Sequence, residues 1–212
     1  DLVNEVIEEI PARSNKVIDQ VIYKLPGGNT VIDFDTPQSV TIFGHDGIKR
    51  TDKDFFSAYV LTHILGGSGF GSRLMTELRE KNGLTYGVSV YLASWEKADL
   101  ILGQFASSNN TVMEAIGIVK NEWATLADRG VTADELRDAK TFLTGAYPLR
   151  FDGNSRIARI LTGMQTQGLP IDYIHTRNAK VNAVTMEDIK RVAARILKEK
   201  NLYFVIVGRP TP

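Results

Sequence analysis

The chain has no cysteine, which excludes disulfides, thiolate metal sites, cysteine nucleophiles and thiol redox chemistry. It leaves the compartment open between periplasm and cytosol, both of which accommodate cysteine-free proteins. Net charge is also lacking: 25 Lys and Arg balance 25 Asp and Glu, so no long-range field favours nucleic acid or an anionic membrane. Long apolar runs are missing as well. Stretches such as Leu202 to Val207 fall far short of the roughly 18 to 20 residues that span a bilayer. Histidine is scarce, with only His45, His63 and His175, and none stands in a His-x-x-Glu-His or His-Glu-x-x-His arrangement. A zinc motif of that kind needs two imidazoles one helical turn apart, so no self-contained zinc site is expected. His63 reads instead as a helix-end histidine meeting exposed carbonyls.

What is present suits a single α+β domain. A chain of 212 residues, 43% of them hydrophobic, buries one substantial core. It opens on Asp1 rather than Met and stops at Pro212 directly after an apolar strand, and so reads as a piece of something longer. Residues 1–16, with Pro11 and Ser14 among acidic and apolar residues, suggest an extended connector, with the domain proper over 17–212. Strands are expected over Val17 to Leu25, Thr30 to Asp35 and Gln38 to His45, the first ending at the turn cluster Pro26-Gly27-Gly28-Asn29. Asp52 is a candidate N-cap for a helix reaching Leu65, whose apolar face is Phe55, Phe56, Tyr59, Val60 and Ile64. A second helix over Ser72 to Lys81 ends at Asn82 and Gly83. Leu84 to Ser94 and Asp99 to Ser107 read as a hairpin. Helices then follow at about 110–128, 132–146 with Thr132 as N-cap, 154–167, 171–182 and 185–198, and the strand Leu202 to Val207 closes the chain. Helices gathered after most of the strands must cover one face of the sheet.

Two motifs carry chemical interest. Gly66-Gly67-Ser68-Gly69-Phe70-Gly71 is a glycine-rich turn between helices. It lacks the Gly-Lys-Ser/Thr of a phosphate loop, and Ser72 stands where a dinucleotide fingerprint needs its third glycine. It fits either a plain helix–helix turn or a loop that lets its backbone approach a ligand. The second motif, Leu78-Arg79-Glu80-Lys81-Asn82-Gly83-Leu84-Thr85-Tyr86-Gly87, puts an arginine near a helix end and a tyrosine at the start of the next strand. The turn between them directs both side chains toward a common mouth. Their donors suit a peptide carbonyl, including one gaining negative charge. The structural alternative is an exposed helix-end arginine beside a half-buried strand tyrosine.

From Leu65 to Tyr91 the sequence resembles the carboxy-terminal domain of the peptidase M16 (pitrilysin/insulinase-like) family. The likeness rests on the glycine-rich loop, Ser72-Arg73-Leu74, Leu78-Arg79-Glu80 and Gly83-Leu84 before Tyr86, and on the later Asp134-Glu135-Leu136 with Lys140 and the closing Val207-Gly208. It implies a mostly antiparallel sheet with helices packed on one face. It further implies a substrate-binding, non-zinc domain of a metalloendopeptidase, in which Arg79 would hydrogen-bond a backbone carbonyl of the peptide substrate. Tyr86 would bind the scissile carbonyl and stabilise its tetrahedral intermediate, and residues 66–71 would help to guide the peptide. Zinc is expected not in this chain but in a partner M16 domain or subunit, so the isolated chain should be inactive. The competing expectations are a catalytically inert structural subunit, like the M16-like core proteins of respiratory complexes, and an unrelated small-ligand domain that uses the glycine loop.

Overall fold

The computed structural model describes residues 2–11, 26–67, 71–95 and 97–211. Its centre is a mixed five-stranded sheet formed by β1 (Gly28–Asp33), β2 (Gln38–Asp46), β3 (Val88–Ser94), β4 (Asp99–Ser108) and β5 (Tyr203–Gly208). The spatial order is β1-β5-β2-β4-β3. The last strand therefore inserts between the first two, parallel to β1 and antiparallel to β2. The other pairs, β2 with β4 and β4 with β3, are antiparallel. β3 and β4 form the expected hairpin, with Ser94 opposite Asp99.

Alternation along the strands decides which face is covered. On β2, Ser39, Thr41, Phe43 and His45 are buried, whereas Val40 and Ile42 remain about half exposed. Phe43, Ile101, Phe105, Phe204 and Ile206 point into the helical layer. That layer comprises α2 (Phe55–Gly66), α3 (Arg73–Met75), α4 (Val112–Arg129), α5 (Ala133–Gly145), α6 (Asn154–Thr166), α7 (Tyr173–Asn182) and α8 (Met186–Ile196), after the amino-terminal α1 (Leu2–Ile7). The Phe43 ring stacks on Phe204 at 5.4 Å and meets Trp123 of α4 edge-on at 5.8 Å. Gly103 makes room for it, because a Cβ there would lie 2.3 Å from Phe43 Cζ. Fully burying a side chain of this size stabilises the fold by about 1.5–3 kcal/mol. No described helix is long and apolar enough to cross a membrane.

Helix boundaries follow local hydrogen bonding. Thr132 caps α5 in a capping box with Glu135, and Thr185 caps α8 in the same way with Asp188, so two backbone donors are satisfied at each start. Three expectations need correction. Within the expected extended connector, Leu2–Ile7 form α1, with Leu2, Val3, Val6 and Ile7 at helical spacing. α2 starts at Phe55 with Asp54 in the N-cap position. Asp52 lies ahead of it, accepting the Asp54 N–H at 2.8 Å. The helix after Ser72 is α-helical for only one short turn and continues as a π-helical turn, Thr76–Lys81. The strand expected over 17–25 lies outside the described residues, as do Ser68, Gly69 and Phe70.

The two aspartates at the start of α2 join it to α8. Arg191 and Arg195 each donate to Asp54, at 2.7 and 2.6 Å, and Arg195 also reaches Asp52 at 2.7 Å. Hydrogen bonds from Arg191, opposed by burial and reinforced by Arg195, hold the Asp54 carboxyl down to about 2, against an ordinary 3.8. A depressed carboxyl contributes stability that is present above its unfolded pKa and is lost as pH falls through its folded pKa. Acidification from pH 4 to 2 should therefore remove on the order of 1–2 kcal/mol through this group, discounted because the two guanidinium groups are half exposed. Urea unfolding at pH 5 and pH 2.5 should show a smaller acid loss in Asp54→Asn than in the native chain. An equal loss would refute the assignment.

Candidate functional site

The π-helical turn carries Arg79 and closes at Gly83, whose φ of +63° is open to glycine at no steric cost. Gly83 N–H donates to Arg79 O at 3.1 Å and Leu84 N–H to Leu78 O at 2.7 Å, while Asn82 Nδ2 donates to Glu77 O at 2.8 Å. The chain then runs through two buried residues. Ser107 Oγ donates to Leu84 O at 2.6 Å, and Thr85 Oγ1 donates to Ala106 O at 2.7 Å and also reaches Gly87 O. Gly87 N–H returns a bond to Thr85 Oγ1.

This pinned loop projects Tyr86 outward, 86% exposed. Tyr86 is neither half-buried nor in a strand, because Thr85 and Gly87 form a side-chain-closed turn that delays β3 until Val88. The Arg79 guanidinium carbon lies 4.6 Å from the centre of the Tyr86 ring, within range of a cation–π contact. The two side chains singled out by spacing are therefore brought together. π-Helical turns concentrate at functional sites, and this one aims Arg79 at the tyrosine.

The start of this segment is held from below. Arg73 Nε and Nη2 reach both carboxylate oxygens of Glu135, at 2.6 and 2.9 Å, and Nη2 also donates to Gly130 O. Burial raises the Glu135 pKa, but Arg73 and the Thr132 backbone N–H outweigh it and hold the group low. The fork ties α3 to the cap of α5 with bidentate geometry. Leu74 and Leu78, both fully buried, fix the remaining orientation.

Only part of the glycine-rich loop is described. Gly66 is the last residue of α2 and not a loop residue, and a Cβ there would press on Val90 Cγ2 at 2.6 Å. A Cβ on Gly67 would meet His63 Nδ1 at 2.2 Å. These two glycines are required by close packing. Gly71 is exposed and opens on free space.

The histidines do not converge on a metal. His45, on β2, is buried and accepts the Trp123 indole N–H at 2.8 Å. His63 stacks on Phe142 at 5.0 Å, so ring packing rather than capping of helix-end carbonyls accounts for it. His175 is exposed on α7. Among the described residues, no group of three or more His, Asp or Glu is placed to hold a metal ion. The donor set does not fit the zinc of a metallopeptidase.

One concave site escaped the sequence. A cleft of about 710 Å³ between α2, α6 and α7 is lined by five arginines and several aromatic rings. Its arginines are dispersed from Arg50 to Arg177, and no local motif links them.

A five-stranded mixed sheet covered on one face by helices is the two-layer α+β fold of a peptidase M16 inactive domain. The chain is a member of the peptidase M16 family, and residues 1–143 match the model of the peptidase M16 inactive domain. It is 29% identical over 196 residues to "Non-peptidase homolog YmxG" of Helicobacter pylori, covering 92% of this chain and 43% of the relative. It is 31% identical over 172 residues to an uncharacterized zinc protease of Streptomyces coelicolor, covering 81% of this chain and 37% of the relative. Among solved structures, the crystal structure of a peptidase M16 inactive domain from Pseudomonas fluorescens superposes with a TM-score of 0.80 at 29% identity, over 92% of this chain and 46% of that one. The chain thus spans less than half the length of each.

Proposed function

We propose that this domain binds peptide substrate for an M16-type zinc metalloendopeptidase whose metal is supplied by another M16 domain or subunit. The observation that carries the reading is the Arg79–Tyr86 pair, its guanidinium 4.6 Å from the ring centre on a loop whose neighbours Leu84 and Thr85 are buried. Arg79 offers a planar fork to a backbone carbonyl. Tyr86 offers one hydroxyl donor to the scissile carbonyl and to the oxyanion that develops from it. Rigid anchoring matters because a donor already in place stabilises the transition state without reorganisation. The residues following Gly67 would help to guide the peptide past the pair.

The direct test is reconstitution. The chain alone should cleave no peptide, and cleavage should appear when it is combined with a complementary M16 domain bearing the zinc motif. Arg79→Ala should then raise KM for the peptide. A second reading, a catalytically inert structural subunit, is favoured by the non-peptidase name of the Helicobacter relative and by the family description of an inactive domain. Stable assembly without peptide cleavage, together with indifference to Arg79→Ala, would select it.

A further inference from the structure

The cleft between α2, α6 and α7 has a charge asymmetry that the whole chain lacks. Arg50, Arg150, Arg156, Arg159 and Arg177 line it, and no aspartate or glutamate does. Elsewhere Arg73, Arg137, Arg191, Arg195 and Arg209 each meet a carboxylate. The five cleft arginines have no such ion pair among the described residues.

Arg177 is the most telling of them. It is only 4% exposed, yet its guanidinium donates to neutral groups alone: Leu143 O at 2.7 Å, Asn178 Oδ1 at 2.7 Å and Tyr59 Oη at 3.0 Å. Its guanidinium carbon lies 4.4 Å from the Tyr147 ring centre. A buried cation without a counter-ion is costly to desolvate, and in a low-dielectric wall its field reaches into the cleft. Arg50 is held in a similar way, 4.2 Å over the Phe55 ring and bonded to the Tyr173 hydroxyl. Both cations rest against aromatic rings, and neither is paired with an acid among the described residues.

The opposite wall is α6. Arg156, Arg159, Ile160 and Gly163 recur at helical spacing along the cleft, and Gly163 has nothing within 4 Å of where a Cβ would stand. The floor is aromatic, with Phe55, Phe56, Tyr59, Tyr147 and Tyr173. Burial pushes the Tyr147 and Tyr173 hydroxyls up, so they remain proton donors. A smaller cleft of about 240 Å³ shares Arg50, Phe55, Tyr59 and Gln167 with the first and continues past His63 to Gly67 and Tyr91. The two together form an elongated groove.

We propose that this groove binds an acidic peptide segment, its carboxylates taken by Arg156 and Arg159 of α6 in the field of the buried Arg177, and its apolar side chains laid on the aromatic floor. Guanidinium forks match carboxylates bidentately. The elongated shape and ring-lined floor suit an extended chain better than a compact phosphate. The site is distinct from Arg79 and Tyr86 and is read by binding alone, so failure of peptide cleavage would leave it standing.

The test is fluorescence anisotropy of the chain with a labelled peptide alternating Glu and Phe, against the same peptide with Gln in place of Glu. The Glu peptide should bind at least about tenfold more tightly, and its affinity should fall with added salt. Arg156→Gln combined with Arg159→Gln, both exposed and therefore tolerable to the fold, should weaken it by about tenfold with an unchanged circular dichroism spectrum. Arg137→Gln with Arg209→Gln removes the same charge elsewhere and should change it by less than about twofold. Equal binding of the Gln peptide, or indifference to the α6 pair, would overturn the proposal. So would inorganic phosphate binding in the cleft more tightly than the peptide.

Discussion

Tyr86→Phe is expected to lower peptide turnover by the reconstituted assembly about a hundredfold or more, the cost of losing one transition-state donor of roughly 2.7–4 kcal/mol. The substitution is sharp because little else depends on the hydroxyl. The side chain is 86% exposed, and the loop is held by Leu84, Thr85 and Ser107 rather than by the phenol. Phenylalanine keeps the ring that faces the Arg79 guanidinium at 4.6 Å, so Arg79 retains its platform and folding should be unaltered. The loss should fall on kcat, because the oxyanion exists only after attack on the carbonyl, whereas Arg79→Ala should act mainly on KM. Steady-state kinetics on one peptide with both variants separates the two roles. Unchanged cleavage by the phenylalanine variant would remove Tyr86 from the mechanism.

The pair was legible because its signals are local. Asn82 and Gly83 announce a helix end, and the positive φ of Gly83 delivers it. Seven positions then separate arginine from tyrosine, a distance that one turn folds back. The setting of Tyr86 was not legible. A reading by β-propensity starts the strand at Leu84, but Thr85 spends its hydroxyl on Gly87 and Ala106, and that side-chain competition with the sheet ladder moves the first paired residue to Val88. Likewise, no composition rule separates a π-helical turn from an α-helix over Thr76–Lys81.

At the level of the fold, local pattern gave the elements and tertiary contact gave their order. Apolar and β-branched runs marked the five strands that follow Pro26, and Thr132 and Thr185 marked two helix starts that the structure closes with full capping boxes. Nothing local places β5 between β1 and β2, since the pairing of Gly28 with Tyr203 spans almost the whole chain. The same holds for Asp54 with Arg191. The helix starts at Phe55, with Asp54 rather than Asp52 in the N-cap position, because Asp52 closes a local turn, accepting the Asp54 N–H on its side chain and the Phe55 N–H on its carbonyl. The arginine-lined groove belongs with the long-range pairings, assembled from α2, α6 and α7 with no segment that announces it.

The largest expected loss of stability follows Trp123→Ala. Trp123 is fully buried, packed edge-on against Phe43 at 5.8 Å and His45 at 5.7 Å. Truncating a buried aromatic costs about 3–5 kcal/mol through lost transfer energy and the cavity left behind. The loss of the indole donor to His45 Nε2 adds to this, since a buried acceptor left alone costs roughly 1–3 kcal/mol. Against a total stability of about 5–15 kcal/mol, the variant should be marginally folded. Trp123→Phe separates the two contributions, because it keeps most of the volume and removes only the donor. The bond also fixes the state of the imidazole. An indole can only donate, so Nε2 must accept, and the single proton resides on Nδ1, which donates to Asp46 O at 2.7 Å. Burial lowers the His45 pKa from 6.5. The unfolded chain therefore binds the proton first, and stability present above pH 6.5 declines as pH falls toward the depressed folded value. In the native chain, protonation of Nε2 also forfeits the indole bond, whereas in Trp123→Phe there is no such bond to lose. Urea unfolding at pH 7.5 and pH 5.5 should show a lower midpoint for the phenylalanine variant at the higher pH and a smaller drop between the two. Identical midpoints and identical drops would mean that the Trp123–His45 bond adds nothing to the core.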